Sequence, residues 1–156
     1  MKLKDGCFYF EVQVVEIVRD LVQFGVCTGG FEPREHSGGE GVGDDASSWG
    51  ICGHRQEKWH SASSTAFGSK WRVGDVIGLA CDMCAAGGAV LSVSVNGSFA
   101  APNGVAFSSI DACDLSPALS GYGRYKVNFG DSAFAHPLPS ADFKSVHDFR
   151  QTEREA

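Results

Sequence analysis

The sequence has no long apolar run, no cluster of basic residues and no sustained helical periodicity. No stretch reaches the roughly 18 apolar residues that a membrane-spanning helix needs. Acidic and basic residues interrupt the first apolar run, so we expect no secretory signal peptide. The net charge is −6, and the lysines and arginines are scattered. A basic stripe for nucleic acid is therefore lacking, and we expect neither a nucleic-acid nor a membrane partner.

Catalytic and metal-binding motifs are also lacking. Cys81 and Cys84 form one Cys-x-x-Cys pair, whereas a structural zinc site normally shows a second pair. The glycine-rich segment at residues 37–43 lacks the Gly-Lys-Ser/Thr ending of a phosphate-binding loop. We expect Asp75 and Asp82, on either side of an apolar run, to bind backbone N–H groups of adjacent turns. The sequence therefore predicts no enzyme activity, no catalytic residue, no metal site and no cofactor.

The cysteine pattern favours free thiols. Six cysteines are present, an even count that would also suit three disulfides in a secreted protein. However, Cys7, Cys27, Cys52 and Cys81 lie in or beside apolar runs, where a free thiol behaves as a small hydrophobic group. We therefore expect an intracellular, cytoplasmic location, since that compartment keeps thiols reduced.

What the sequence does contain is a series of short strand patterns. Apolar and polar residues alternate at Phe8–Val14 and Leu91–Val95, which is typical of half-buried strands. Asn96-Gly97 predicts a tight turn. Further strands are predicted at Leu21–Cys27, Ser48–Cys52, Val76–Cys81, Leu115–Ser120 and Tyr125–Phe129. With no helix between them, these strands indicate an all-β sandwich or barrel.

The segments between these strands are long and polar. We expect Thr28–Ser47 to be a loop, Gly53–Lys70 and Ser98–Asp114 to be irregular, and Gly121–Arg124 to connect the last two strands. A turn around Arg19 and Asp20 is expected before the second strand. Residues 1–139 are predicted to form one domain. Residues 140–156 are predicted to be a charged tail, either disordered or a short C-terminal helix with Ser140 as its N-cap.

A series of short motifs follows along the chain: Phe8–Val14, Phe24–Cys27, Ser48–Gly50, Lys58–His60, Phe67–Gly68 with Trp71, Gly74–Gly78 with Asp82, Val95–Gly97, Gly104–Phe107, Pro117–Leu119 and Asn128–Gly130 with Pro137. In their type and order these motifs resemble the SPRY domain family, and the resemblance covers about residues 5–138. The chain departs from the family pattern at Val93, where an aromatic is frequent, and we expect no PRY segment before residue 5.

The resemblance implies a fold and a function. The fold is a twisted two-sheet antiparallel β-sandwich of the concanavalin-like type. The function is a non-catalytic, monomeric interaction module that binds a protein or peptide through rim loops. Such a module is usually part of a larger intracellular protein, such as an adaptor, a ubiquitin-ligase subunit or a channel.

The resemblance also implies where a partner binds. Tyr122, Gly123 and Arg124 fall where family members present an aromatic-glycine pair, and tyrosine and arginine are enriched at interface hot spots. Phe31 and Arg34 are expected to form the opposite wall of this site. The sequence leaves open a lectin-like sandwich that binds a carbohydrate or small ligand; Asp44, Asp45 and Trp59 are its candidate residues. Trp49 is expected in the core.

Overall fold

The computed structural model describes residue 3, residues 5–33 and residues 41–155, without the side chains of 150 and 152–155. Its regular elements are nine β-strands and one C-terminal helix. The strands are β1 (Cys7–Cys27), β2 (Ser48–Cys52), β3 (Glu57–His60), β4 (Ser63–Ala66), β5 (Val76–Asp82), β6 (Ala89–Val95), β7 (Gly104–Ile110), β8 (Ser116–Asn128) and β9 (Phe143–Ser145), and the helix is α1 (Val146–Glu155).

Two long strands, β1 and β8, organise the sheet. They pair antiparallel from Glu11↔Asn128 to Cys27↔Ser116. The first half of β1 also pairs with β5, and its second half pairs with β2. The sequence predicted two separate strands in the region of β1 and two in the region of β8. Both predictions are wrong, because each region forms one continuous strand. The charged residues that suggested a turn, Arg19 and Asp20, instead lie in an irregular part of a continuous strand.

All nine strands of the described chain belong to one curled sheet. Their order is β4-β3-β2-β1-β5-β6-β7, with β8 and β9 also paired to β1. The pairs are antiparallel except β1 with β9, which is parallel. An all-β fold is confirmed, whereas a division into two separate sheets is not. The polar segments predicted to be irregular contain β3, β4 and β7, because exposed strands such as β4 carry no apolar alternation.

The curl brings the two ends of the sheet together around one core. Nζ of Lys58 on β3 donates a hydrogen bond of 2.6 Å to the carbonyl of Ala106 on β7. Between these ends lie the buried apolar side chains of β1, β2, β5 and β6. The ring of Phe24 stacks on Trp71 at 4.9 Å, and Trp71 is part of the core. The core thus fixes the strands from which the functional surfaces project.

The tight turn at Asn96-Gly97 is confirmed. The backbones of Val95 and Ser98 exchange hydrogen bonds of 3.2 and 3.1 Å. Asn96 and Gly97 have φ angles of +50° and +81°, the left-handed conformation that Asn and Gly tolerate best.

The C-terminal helix begins five residues later than predicted. Oγ of Ser145 accepts the backbone N–H of Asp148 at 3.0 Å and donates to its carboxylate at 2.7 Å, so Ser145 is the N-cap. Ser140 instead accepts the N–H of Asp142 in a turn. The reason is that β9 first pairs with β1. Val146 is then buried, and Phe149 packs edge-on against Phe8.

Candidate functional site

A wide bulge interrupts the pairing of β1 with β8. Ile17 pairs with Gly123 and Val22 with Gly121, so four residues of β1 face the single residue Tyr122. Bulges of this kind bend a strand and redirect its side chains. We define the bulge surface as Val18, Arg19, Leu21, Tyr122 and Arg124. Three of the residues expected at the site, Tyr122, Gly123 and Arg124, therefore lie within a strand rather than in a connecting loop.

The bulge surface combines exposed apolar side chains with arginines. The exposed fractions of Val18, Leu21 and Tyr122 are 60%, 43% and 45%. The guanidinium of Arg19 lies 4.8 Å from the Tyr122 ring centroid. Nε of Arg124 lies 2.7 Å from Oε2 of Glu16, and both side chains are largely exposed. Exposed ion pairs contribute little to stability, so a partner can displace this one at small cost.

The backbone under Tyr122 is fixed to the core. The hydroxyl of Tyr125 donates to the Tyr122 carbonyl at 2.9 Å. The Tyr125 ring packs edge-on against Phe24 at 5.0 Å. Burial raises the pKa of Tyr125, so the hydroxyl remains a donor over the neutral range. The Tyr122 ring is thus exposed on a backbone that is held in place.

The bulge itself is held by β2 and the residues after it. Oδ1 of Asp20 lies 2.6 Å from Nε2 of His54. The thiol of Cys52 lies 3.3 Å from the Asp20 carbonyl, and Nε of Arg55 donates to the same sulfur. These contacts give the bulge a defined conformation, although it carries charged residues that resemble a turn in the sequence.

Gly123 has a structural reason to be glycine. Its φ angle is +145°, and a Cβ there would overlap the carbonyl of Glu16 on β1. Gly121, with a φ of +132°, would meet Leu21 in the same way. Glycine at these two positions lets β1 and β8 approach on either side of Tyr122. Gly123 therefore shapes the surface through the backbone.

Phe31 lies at the far end of the β1–β8 pair. Its backbone N–H donates to the carbonyl of Thr28, directly after β1. Five residues separate the Val22 and Cys27 positions of β1, about 17 Å at the usual rise of an extended strand. The contacts of the described residues do not join Phe31 to Tyr122. Arg34 lies outside the described residues, so the shared role of these two side chains stays a prediction.

A cavity that the sequence did not indicate lies beside the Cys27 end of β1. Its volume is about 570 Å³, and it is lined by Thr28, Ala46, Trp49, His60 and residues 107–111. Trp49 is 8% exposed, which confirms its expected burial, and its ring stacks on His60 at 4.7 Å. The walls come from the neighbouring strands β2 and β3 and from β7, which is distant from both in sheet order. No local sequence pattern therefore predicts this cavity.

The remaining candidates serve the fold. Asp75 accepts the N–H of Arg72 at 2.8 Å, and Asp82 accepts that of Cys84 at 2.8 Å, as expected. Asp44 and Asp45, the residues suggested for a lectin-like site, accept donors of their own loop at 2.6 and 2.9 Å.

Three broader features of the described chain also bear on function. All six cysteines are free. Within residues 3, 5–33 and 41–155, no three His, Cys, Asp or Glu side chains are grouped to hold a metal ion. In the same ranges, no helix has the length and apolar character needed to cross a membrane.

Comparisons with known proteins agree on one family. A family model described as the SPRY domain matches residues 7–131. Of the solved structures, 127 chains match. One is the crystal structure of the SPRY domain of human HERC1, with 20% sequence identity and a TM-score of 0.63 over 85% of this chain and 80% of that one. At this identity the likeness shows the fold alone. No curated protein sequence matches.

Proposed function

The chain belongs to the SPRY domain family, and we propose that it binds a protein or peptide partner through the bulge surface. SPRY domains are generally protein–protein interaction modules without enzymatic activity. The observation that carries the proposal is the exposed ring of Tyr122, which lies 4.8 Å from the Arg19 guanidinium at a bulge where Val18, Leu21 and Arg124 are also exposed.

The composition of the bulge surface supports this role. Tyr and Arg are enriched among the few interface residues that carry most binding energy. Adjacent exposed apolar side chains are typical of interaction sites. Tyr122 also loses little conformational entropy when it is buried, because its side chain has only two rotatable torsions. Of the other large exposed apolar side chains, Val15 also lies on β1, whereas Val73, Val105 and Leu138 lie outside β1 and β8.

The wider biological setting is part of the proposal. We place the domain, as a monomeric unit, in a larger intracellular protein such as an adaptor, a ubiquitin-ligase subunit or a channel. Residues 1–139 would form the module and 140–156 its C-terminal segment. Phe31 and Arg34 would then contact a partner that extends from the bulge surface toward the Cys27 end of β1.

The test first identifies partners of the domain by cross-linking. It then measures the affinity of each purified partner for the domain. A Tyr122→Ala, Arg124→Ala double variant should lose at least tenfold in affinity, equivalent to about 1.4 kcal/mol. The matched control is Val105→Ala, an exposed apolar residue on β7, which should leave affinity unchanged. Unfolding curves establish that both variants fold.

An unchanged affinity in the double variant would remove the bulge surface as the partner site. The lectin-like alternative has its own measurement. A glycan array and a calcium thermal-shift assay should both be negative, and a reproducible glycan signal would contradict the proposal.

A further inference from the structure

The cavity between β3 and β7 is separate from the bulge surface. Trp49 and His60 form one wall, and Ser108, Ser109 and Asp111 contribute to the other. Trp49 pairs with Val26 of β1, and Val26 lies four residues beyond Val22 at the edge of the bulge. This separation is about 13 Å along the strand. We propose that this cavity binds the guanidinium group of an arginine in a peptide. The inference does not rest on the proposed function of the bulge surface.

The polar groups of the cavity favour a ligand that only donates hydrogen bonds. Nδ1 of His60 lies 2.8 Å from the carbonyl of Ser48. Because a carbonyl only accepts, Nδ1 carries the proton in the neutral ring, and Nε2 is left as an acceptor. Asp111 adds an exposed carboxylate. A guanidinium has five N–H donors and no acceptor, and its planar fork matches a carboxylate.

The apolar groups suit the rest of an arginine side chain. Trp49 and Phe107 line the cavity, and apolar side chains of this kind pack against the methylene stem of an arginine. A volume of about 570 Å³ lies in the range of ligand pockets and accommodates the side chain with part of the flanking backbone. A compact ammonium would leave much of this space unfilled.

The charges around the cavity point the same way. Among the described residues that line it, Asp111 is the acid, and none is Lys or Arg. The ammonium of Lys58 lies 5.2 Å from the Phe107 ring centroid, but it is not part of the lining and is bound to the Ala106 carbonyl. An anionic ligand would meet the Asp111 carboxylate without a compensating cation in this lining.

Backbone geometry places the two serines. Ala89 of β6 pairs with Ile110 and Leu91 pairs with Phe107, so β7 carries one extra residue at this point. Ser109 in that bulge has a φ of +57°, an uncommon conformation for a residue with a side chain. The bulge thus places Ser108 and Ser109 in the cavity wall, where their hydroxyls can accept from a guanidinium.

The test is an NMR titration of the ¹⁵N-labelled domain with the blocked peptide acetyl-Gly-Gly-Arg-Gly-Gly-amide. We expect saturable shifts of the Ser108–Asp111 amides and of the Trp49 indole. The same peptide with citrulline, the neutral isostere of arginine, should bind at least fivefold more weakly. Asp111→Asn should weaken arginine binding by a similar factor and leave citrulline binding unchanged. Tyr122→Ala should alter neither.

Two results would overturn the inference. One is equal binding of the arginine and citrulline peptides, or shifts confined to other parts of the domain. The other is equal affinity for guanidinium chloride and the arginine peptide, measured at millimolar concentrations that do not denature the protein. That result would show a site for a small cation rather than for a peptide. Neither result depends on whether the bulge surface binds a partner.

Discussion

Lys58 and Ala106 join strands that lie near opposite ends of the sheet. The ammonium of Lys58 donates to the Ala106 carbonyl at 2.6 Å, and it lies 5.9 and 5.2 Å from the rings of Phe67 and Phe107. The bond links β3 to β7, which are separated by four other strands in the sheet order. It holds together two walls of the cavity and limits access to the backbone of an edge strand.

Lys58→Met should lower the free energy of unfolding by about 1–3 kcal/mol, because the stem is kept while a charge-assisted hydrogen bond is lost. Urea denaturation measures the change. Lys126→Met, at an exposed position of β8, is the matched control and should stay within about 0.5 kcal/mol. Equal losses in the two variants would mean that Lys58 does not hold the two ends together.

Gly123→Ala should destabilise the domain more than Gly87→Ala does. Both glycines have positive φ angles, so alanine introduces backbone strain at each position, typically about 1–3 kcal/mol. A Cβ at Gly87 meets nothing within 4 Å, whereas one at Gly123 overlaps the Glu16 carbonyl. We expect an extra loss of about 1 kcal/mol or more at Gly123. Comparable melting temperatures would show that β8 can move away from β1.

Glu11→Gln should clearly lower the free energy of unfolding, although it only replaces one carboxylate oxygen with an NH₂ group. The buried Glu11 carboxylate accepts the backbone N–H groups of Ala135 and His136 at 2.8 and 3.0 Å, and also the hydroxyl of Tyr9. An amide would turn an NH₂ group toward one of these donors, at a cost of about 2 kcal/mol. Glu16→Gln, in an exposed ion pair, should cost less than about 1 kcal/mol. Chemical denaturation of both variants decides the matter.

Ser145→Ala should lower the free energy of unfolding by about 1 kcal/mol, the usual value of an N-cap. Ser140→Ala should change it by less than about 0.5 kcal/mol, because this exposed residue only supports a turn. The comparison distinguishes the N-cap in the structure from the one that the sequence suggested. A larger loss for Ser140 would contradict the helix start at Val146.

Stability should fall at alkaline pH partly through Cys7. Burial, together with the hydrogen bond to Asp82, raises the pKa of the Cys7 thiol from 9.0 to about 12. Between these values the unfolded chain has lost the thiol proton while the folded chain retains it. The contribution of Cys7 is therefore complete below about pH 9 and decreases as the pH rises toward 12.

The measurement for Cys7 is the difference in unfolding free energy between the wild type and Cys7→Ala at several pH values. Tyr9 and Cys81 also have pKa values raised by burial, so they too make stability depend on alkaline pH. Their contribution is present in both proteins and cancels in the difference. The difference should shrink from pH 9 upward. A difference that stays constant to pH 11 would exclude this proton linkage.

Much of the fold could be predicted because its signals are local. The alternation at Phe8–Val14, the apolar run at Val76–Cys81 and the turn at Asn96-Gly97 each depend on neighbouring residues, and the predicted strands and turn are present. The expected half-burial of Phe8–Val14 is wrong, because Tyr9 and Glu11 on its other face are buried as well. The order of short motifs was also sufficient to indicate the family, which the family model confirms over residues 7–131.

The errors occurred where local pattern and tertiary pairing disagree. Arg19 and Asp20 resemble a turn, and Gly121 and Gly123 resemble a loop. Each pair nevertheless lies in a long strand, because β1 and β8 pair with each other both before and after the bulge. The strand β4 has four exposed residues, three of them polar, and no period-two signal, so only its pairing with β3 identifies it. Bulges are a property of two strands in register, which one segment alone does not encode.

The sequence by itself determined the class of the protein: β-strands, a buried aromatic core and the residues of a SPRY domain, because apolar periodicity and turn chemistry act over a few residues. Only the tertiary structure decided which side chains share a surface. The bulge placed Tyr122 beside Arg19, and the curl of the sheet placed His60 and Asp111 at one cavity. Both depend on contacts between residues far apart in the chain, whose register is set by packing of the whole sheet.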